Sequence, residues 1–117
     1  MEMNADRPGY IVSEAWEFVG EASEKSTEPR VTVGFPFKDA TGDWECELRL
    51  TIDRTCIRRY GIGVTEFDAL IYALCFLRIE AEAYARTNRG YFLNSRGAQP
   101  FCLTLIDVHK ANERGQT

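Results

Sequence analysis

The strongest pattern along the chain is a strict alternation of apolar and polar side chains over residues 44–52. The apolar positions are Trp44, Cys46, Leu48, Leu50 and Ile52. The polar positions between them are Glu45, Glu47, Arg49 and Thr51. A period of two over this length predicts a β-strand with one buried and one solvated face, which is typical of an antiparallel sheet.

Two weaker alternations precede this strand, over residues 10–19 and 31–37. Pro36 lies within the second one and has no N–H to donate, which predicts an edge position or a strand end there. A turn cluster over residues 39–43 separates it from the strand at 44–52. We therefore expect these two strands to form a hairpin.

A helical period replaces the alternation after residues 53–63, which are predicted to form a polar loop. Thr65 and Asp68 match a capping box, with Asp in place of the usual Glu or Gln. A helix is therefore expected over residues 66–86, and Gly90 lies just beyond its expected end.

The predicted helix carries more apolar side chains than one sheet can cover. Its main stripe consists of Phe67, Leu70, Ile71, Leu74, Leu77, Ala81 and Tyr84. Four more apolar residues lie off this stripe: Tyr72, Cys75, Phe76 and Ile79. Because such a helix must be covered on both sides, something besides the sheet is expected to pack against it. The candidates are a second copy of the chain and the apolar run at residues 101–108, which returns as a strand or packs over the helix.

Together these elements predict an α+β fold: an antiparallel sheet of three to four strands, in a meander or hairpin order, with one long helix across one face. The length of 117 residues fits a single domain spanning residues 1–117. Residues 1–9 are expected to form a loose N-terminal arm and residues 110–117 a polar tail. A short strand is expected at residues 91–93.

The net charge of −4 is concentrated near the N-terminus, since residues 1–28 hold seven acidic and two basic side chains. This balance argues against a nucleic-acid-binding protein, which needs a basic face. No signal peptide is visible, and the longest nearly apolar stretch, residues 69–79, is too short to cross a membrane. The chain is therefore expected to be cytoplasmic and to have no membrane partner.

The cysteines give no sign of a metal site. Cys46, Cys56, Cys75 and Cys102 contain no C-x-x-C pair, so no zinc site is predicted, and no cofactor is expected either. Cys46 and Cys75 fit small buried hydrophobes. A disulfide between Cys56 and Cys102 is the alternative to four free thiols.

Two arrangements resemble catalytic groups, and each has a simpler structural interpretation. His109, the only histidine, follows Asp107, and the thiol of Cys102 would be the nucleophile beside such a pair. The simpler interpretation is a surface histidine near a polar tail. Glu45 and Glu47 share one face of a strand, where carboxylates are usually only solvated.

A third arrangement resembles a phosphate-binding loop. Gly61 and Gly63 precede the helix, and Arg58 and Arg59 precede the glycines. Glu66 stands where a third glycine is expected, and its charge would repel a phosphate. This segment is therefore interpreted as a loop that enters a capped helix. No catalytic residue and no enzymatic activity are predicted.

Arginine accounts for eleven of the fourteen basic residues and is favoured at protein interfaces. One basic cluster consists of Arg54, Arg58 and Arg59, and a second consists of Arg86, Arg89 and Arg96. If the helix runs back along the strand at 44–52, these clusters lie at opposite ends of the domain, which weakens a single nucleic-acid groove. The candidate interaction surface comprises Arg54, Arg58, Arg59, Tyr60, Tyr72, Phe76 and Ile79.

Three motifs follow one another along the central part of the chain: Trp44-Glu45-Cys46, Gly63-Val64, and Ala69-Leu70-Ile71-Tyr72-Ala73-Leu74. Their order over residues 44–93 resembles a family of small bacterial domains of unknown function. Thr65 replaces the Asp that this family usually has after Gly-Val, and Gly97-Ala98-Gln99-Pro100-Phe101 only echoes its downstream Gly-Phe-Pro element. The resemblance implies a strand–hairpin–helix core and supplies no reaction.

These features favour a small non-enzymatic protein-binding module whose partner is another protein. Its narrowest form is an immunity or antitoxin-type protein, in which acidic residues complement a basic partner. One alternative is a self-associating subunit, a homodimer through the long helix. The other is an unrecognised enzyme or small-ligand-binding domain, which requires a pocket lined by His109, Cys102 or the carboxylates.

Overall fold

The computed structural model describes residues 9–21 and 28–100, which form seven strands and one helix. In chain order these are β1 (Tyr10–Ala15), β2 (Glu17–Gly20), β3 (Arg30–Gly34), β4 (Phe37–Lys38), β5 (Trp44–Ile52), β6 (Thr55–Gly63), α1 (Glu66–Thr87) and β7 (Gly90–Leu93). The strand pairs are antiparallel, and α1 packs across the β5–β6 hairpin. The predicted α+β fold, an antiparallel sheet with one long helix across it, is confirmed.

Some predictions concern residues outside the described ranges. They are the loose arm, of which residues 1–8 are not described, the polar tail, the apolar run at residues 101–108, and the pairing of His109 with Cys102. No helix in the described part of the chain is both long and apolar enough to cross a membrane.

Strand β5 is the central strand of the main sheet. One of its edges pairs with β6, and the other pairs with β4 and then with β3, which in turn pairs with β1. Pro36 lies between β3 and β4, and its missing N–H interrupts the ladder. The alternation over residues 31–37 is therefore two strand segments.

The alternation over residues 10–19 is also two segments, because the chain changes partners at Trp16. The backbone N–H of Trp16 donates to the carbonyl of Pro29 at 2.7 Å, and its side chain is buried. Beyond it, β2 leaves the main sheet and pairs with β7. Phe18 of β2 lies edge-on to Tyr84 and Phe92, with ring centroids 4.9 Å apart in both pairs. The two-stranded ribbon therefore packs near the C-terminal end of α1, and the predicted strand at residues 91–93 is confirmed.

The predicted polar loop at residues 53–63 is wrong, because most of it is β6. The turn between β5 and β6 is only two residues long, and Asp53 takes a positive φ of 55° there. The period of two was hidden because glycines occupy positions that face α1. A Cβ on Gly61 would lie 2.2 Å from the carbonyl oxygen of Ala69, and one on Gly63 would lie 2.4 Å from the Cβ of Asp68. These glycines therefore let the helix approach the strand and do not form a phosphate-binding loop.

The predicted start of the helix is confirmed. The Oγ1 of Thr65 accepts a hydrogen bond from the backbone N–H of Asp68 at 3.1 Å. At the other end, both the backbone N–H and the side-chain amide of Asn88 donate to the carbonyl of Tyr84. The left-handed residue after the helix is Arg89, with a φ of 50°, and not Gly90.

The face of α1 that meets the sheet is narrower than the predicted stripe, and most of its side chains are smaller. Its buried residues are Ala69, Ala73, Leu77 and Ala81. Phe67 and Ile71 belong to the predicted stripe but are 69% and 40% exposed. The contact is centred on alanines because only small side chains fit where the helix backbone approaches Gly61.

Candidate protein-interaction surface

The seven residues predicted to form one interaction surface lie in three places. Tyr72, Phe76 and Ile79 follow one another at helical spacing along one side of α1, and Arg59 lies against them. Arg58 and Tyr60 lie on the opposite face of the sheet, because side chains alternate along a strand. Arg54 lies in the turn between β5 and β6. The structure therefore brings together only the first group of these residues.

We call this first group the β6 flank of the helix: Arg59, Tyr72, Phe76, Ile79 and Glu80. The guanidinium carbon of Arg59 lies 4.4 Å from the centroid of the Phe76 ring, and the guanidinium also forms an ion pair with Glu80. Tyr72 and Ile79 are 53% and 51% exposed. The ion pair with Glu80 thus holds Arg59 over the Phe76 ring, between the exposed side chains of Tyr72 and Ile79.

Glu80 was not among the residues selected from the sequence. It lies one helical turn after Phe76, so the two side chains point to the same side of α1. This spacing was visible in the sequence, but its meaning depended on knowing that Arg59 lies in a strand beside the helix. Glu80 could therefore have been selected from the sequence only if β6 had been predicted.

The open face of the sheet, on the side away from α1, carries a second group of charges. The Nε of Arg58 lies 3.0 Å from a carboxylate oxygen of Glu47, and the Nε of Arg49 lies 3.6 Å from the same oxygen. The side chain of Glu47 is only 13% exposed. The prediction of a solvated face is therefore wrong at Glu47, which is covered by its arginine neighbours.

Glu45 interacts with Asp39, at the turn before β5. Burial raises the pKa of the Glu45 carboxyl, and the hydrogen bond and charge of Asp39 add to this shift. The pKa of Asp39 is lowered, mainly because its carboxylate accepts a hydrogen bond from the hydroxyl of Thr41 at 2.6 Å. This arrangement closes the turn before β5, since the same oxygen also accepts from the backbone N–H groups of Thr41 and Asp43.

The two arginine clusters are not at opposite ends of the domain. Because β6 lies between β5 and the helix in sequence, α1 runs antiparallel to β6 and ends near the β5–β6 turn. Burial raises the pKa of the Tyr84 hydroxyl in the last turns of α1, and the charge of Asp53 in that turn contributes. Arg54 and Arg86 therefore lie toward the same end, contrary to the sequence prediction.

An apolar groove of about 600 Å³ runs along the other side of α1. Its walls are formed by helix residues on one side and by β1 and β3 on the other, including Ile11, Val12, Val31, Val33, Leu70 and Leu74. Cys75 and Arg78 also line it. A second, more polar hollow of about 530 Å³ lies beside Trp16, where Glu17 and Glu28 contribute carboxylates.

The described cysteines are free thiols in three different environments. Cys46 is fully buried under α1, Cys75 is half-buried, and Cys56 is exposed. Burial raises the pKa of the Cys46 thiol to about 11, with a contribution from the charge of Glu47. Within residues 9–21 and 28–100, no three side chains of His, Cys, Asp or Glu are grouped so that they could hold a metal ion.

No protein-family model, no curated protein and no solved structure matches the chain. The resemblance to a family of small bacterial domains therefore stays a prediction, and the function must be argued from the surfaces described above.

Proposed function

We propose that this protein is a non-enzymatic protein-binding module that contacts its partner through the β6 flank of the helix. The observation that carries the proposal is the pair of exposed side chains, Tyr72 and Ile79, on either side of the Arg59–Phe76 stack. Aromatic residues and arginine are enriched in the centres of protein interfaces.

The ion pair between Arg59 and Glu80 supports this proposal because it fixes the arginine before a partner binds. Ordering a long side chain on binding costs about 0.5–1.5 kcal/mol, so a side chain that is already held loses less. The β6 flank is also on a helix that packs closely on the sheet, which makes it a rigid surface.

The test is a capture experiment with the full chain in a lysate of its native host. We expect Ile79→Asp to reduce the captured partner at least about tenfold, since a charge in the centre of an interface must be desolvated without a pair. Tyr91→Asp is the matched control, because Tyr91 is 52% exposed and lies on β7, away from the β6 flank. Equal capture by Ile79→Asp and the unchanged chain would refute the proposal.

A homodimer through α1 is the second candidate. It is supported by the spacing of Tyr72, Phe76 and Ile79, which places one apolar stripe along the helix, so that two copies can pack stripe to stripe about a two-fold axis. Light scattering on the full chain separates the two candidates. A dimer that Ile79→Asp converts to a monomer favours the homodimer, and a monomer at high concentration excludes it.

The immunity or antitoxin form remains the narrowest version of the proposal. It is supported by four exposed acidic side chains in and near β1 and β2: Glu14, Glu17, Glu21 and Glu28. These would attract a basic partner. Capture of a partner with no basic surface would exclude this version while leaving the binding module itself intact.

A further inference from the structure

The groove beside α1 exposes apolar side chains that a stable domain usually covers. Ile11 and Val12 on β1 are 42% and 39% exposed, and Ile71 on the facing side of the helix is 40% exposed. These residues lie around one hollow and are not scattered over the surface. A continuous exposed apolar region of this kind is typical of a site that binds another polypeptide segment or a ligand.

The chain itself supplies an apolar segment at the wall of this groove. Pro100 is buried and lines the groove, and it is the last residue that the structure describes. The chain continues directly into residues 101–108, with the sequence FCLTLIDV, in which six of the eight residues are apolar. The flanking residues 94–99 and 110–117 are mostly polar. In the sequence, the apolar segment therefore follows directly after a residue of the groove wall.

We propose that residues 101–108 occupy the groove of their own chain and pack between α1 and β1. The tether favours this occupant over a second copy. A segment that is joined directly to the groove wall has an effective concentration in the millimolar range or above, whereas a second copy competes only at its own concentration.

The length of the segment fits this position. Eight extended residues span about 26 Å at ~3.3 Å per residue, and the six residues of β1 span about 20 Å. The segment is therefore long enough to run along the whole of β1. It also accounts for the apolar residues of α1 that line the groove, such as Leu70 and Leu74, which are only partly buried against the core.

Site-resolved thiol labelling of the full chain tests this proposal, because the described cysteines report on different places. Cys75 lines the groove and reports on its cover. Cys56 is exposed on the opposite face of the sheet and serves as a control for reagent activity. Cys46 is fully buried with a pKa of about 11, so its labelling reports unfolding.

We expect the double variant Leu103→Asp, Leu105→Asp to increase the labelling rate of Cys75 severalfold, because charged side chains do not enter an apolar groove. Cys56 should keep its rate and Cys46 should stay unlabelled. The matched control is Asn112→Asp with Gln116→Asp, which adds the same charge to the polar tail and should leave Cys75 unchanged.

An unchanged Cys75 rate in the double variant would overturn the proposal. If Cys46 is labelled as well, the double variant has unfolded. The milder single variant Leu105→Ser is then measured under the same conditions, and an unchanged Cys75 labelling rate in it would overturn the proposal. Light scattering identifies the competing occupant: a dimer that the Leu103 and Leu105 substitutions dissociate would show that the segment fills the groove of a second copy. A monomer with a protected Cys75 is the result that the proposal requires.

Discussion

The two halves of the sheet that face α1 differ in how closely the helix approaches them. Over the β5–β6 half the closest contact is made by Gly61 and Gly63 of β6 and by Ala69 and Ala73 of the helix, and no space remains for even one added carbon at either glycine. Over β1 and β3 the facing residues are larger, and a groove of about 600 Å³ separates them from the helix.

This difference shows that the smallest residues, and not the largest, determine where the helix lies. The backbone of a helix can lie directly against the backbone of a strand only where no large side chain stands between them. Large apolar residues such as Leu70 and Leu74 then lie to the side of the contact, where they line the groove. The half without small residues is consequently the half that needs another cover.

The largest expected effect comes from removing a buried side chain in the closely packed half. Leu48 is fully buried on β5, and we expect Leu48→Ala to lower the free energy of unfolding by about 3 kcal/mol, because it leaves a cavity. Val12 lines the groove and is 39% exposed, so Val12→Ala should cost about 1 kcal/mol or less. Urea denaturation of both variants measures the difference. Equal losses would show that the two halves are equally packed.

Adding a methyl group in the closely packed half should lower the free energy of unfolding somewhat less than Leu48→Ala does. Gly61→Ala places a Cβ 2.2 Å from the carbonyl oxygen of Ala69 and 2.4 Å from the backbone N of Ala73, so the helix must move. We expect a loss of about 2 kcal/mol in unfolding free energy. Gly34→Ala is the control, since its Cβ would meet nothing closer than 3.8 Å. A loss in Gly34→Ala as large as in Gly61→Ala would contradict the close approach.

The same contrast explains which parts of the fold could be predicted from the sequence. Strand β5 and helix α1 were predicted because their apolar periods are strong over many residues. Strand β6 was missed because Arg59, Gly61 and Gly63 occupy its helix-facing positions, where a hydrophobic pattern would be expected. Tertiary contact with the helix, and not local pattern, determines those residues.

The residues of the predicted interaction surface lie together only in part, for a related reason. The helical spacing of Tyr72, Phe76 and Ile79 is a local property, so the sequence placed these three together. Arg58 and Arg59 are neighbours in sequence, but they lie on opposite faces because they belong to a strand. Which of them meets the helix could not be decided before β6 was recognised.

The buried thiol under the helix should make stability depend on alkaline pH. The pKa of Cys46 is raised from about 9 to about 11 in the folded state, so its neutral form is favoured by folding. This contribution is complete below pH 9 and is lost as the pH rises from 9 to 11, because the unfolded chain loses its proton first. At pH 10 the loss is about 1.4 kcal/mol. Unfolding free energies at pH 8 and pH 10 should therefore fall more steeply in the unchanged chain than in Cys46→Ala.

Parallel pH profiles for the two proteins would contradict this prediction. The hydrogen bond from the Cys46 thiol to the carbonyl of Gly34, at 3.2 Å, adds to the preference for the neutral form, since only the protonated sulfur can donate.

The smallest effect is expected at the outer edge of the closely packed half, where Arg59 is held over Phe76 by Glu80. The Arg59 side chain is 41% exposed, so water screens its charge, and we expect Arg59→Ala to cost about 0.5–1 kcal/mol. Glu80→Gln removes the ion pair but leaves the contact between Arg59 and the Phe76 ring, so it should lower the free energy of unfolding less than Arg59→Ala does. Adding salt should weaken the effect of Glu80→Gln more than that of Arg59→Ala, because salt screens the ion pair and not the packing of the arginine on the ring. Equal salt dependence of the two losses would mean that Arg59 contributes only its charge, and that the edge of this half is held by electrostatics rather than by contact.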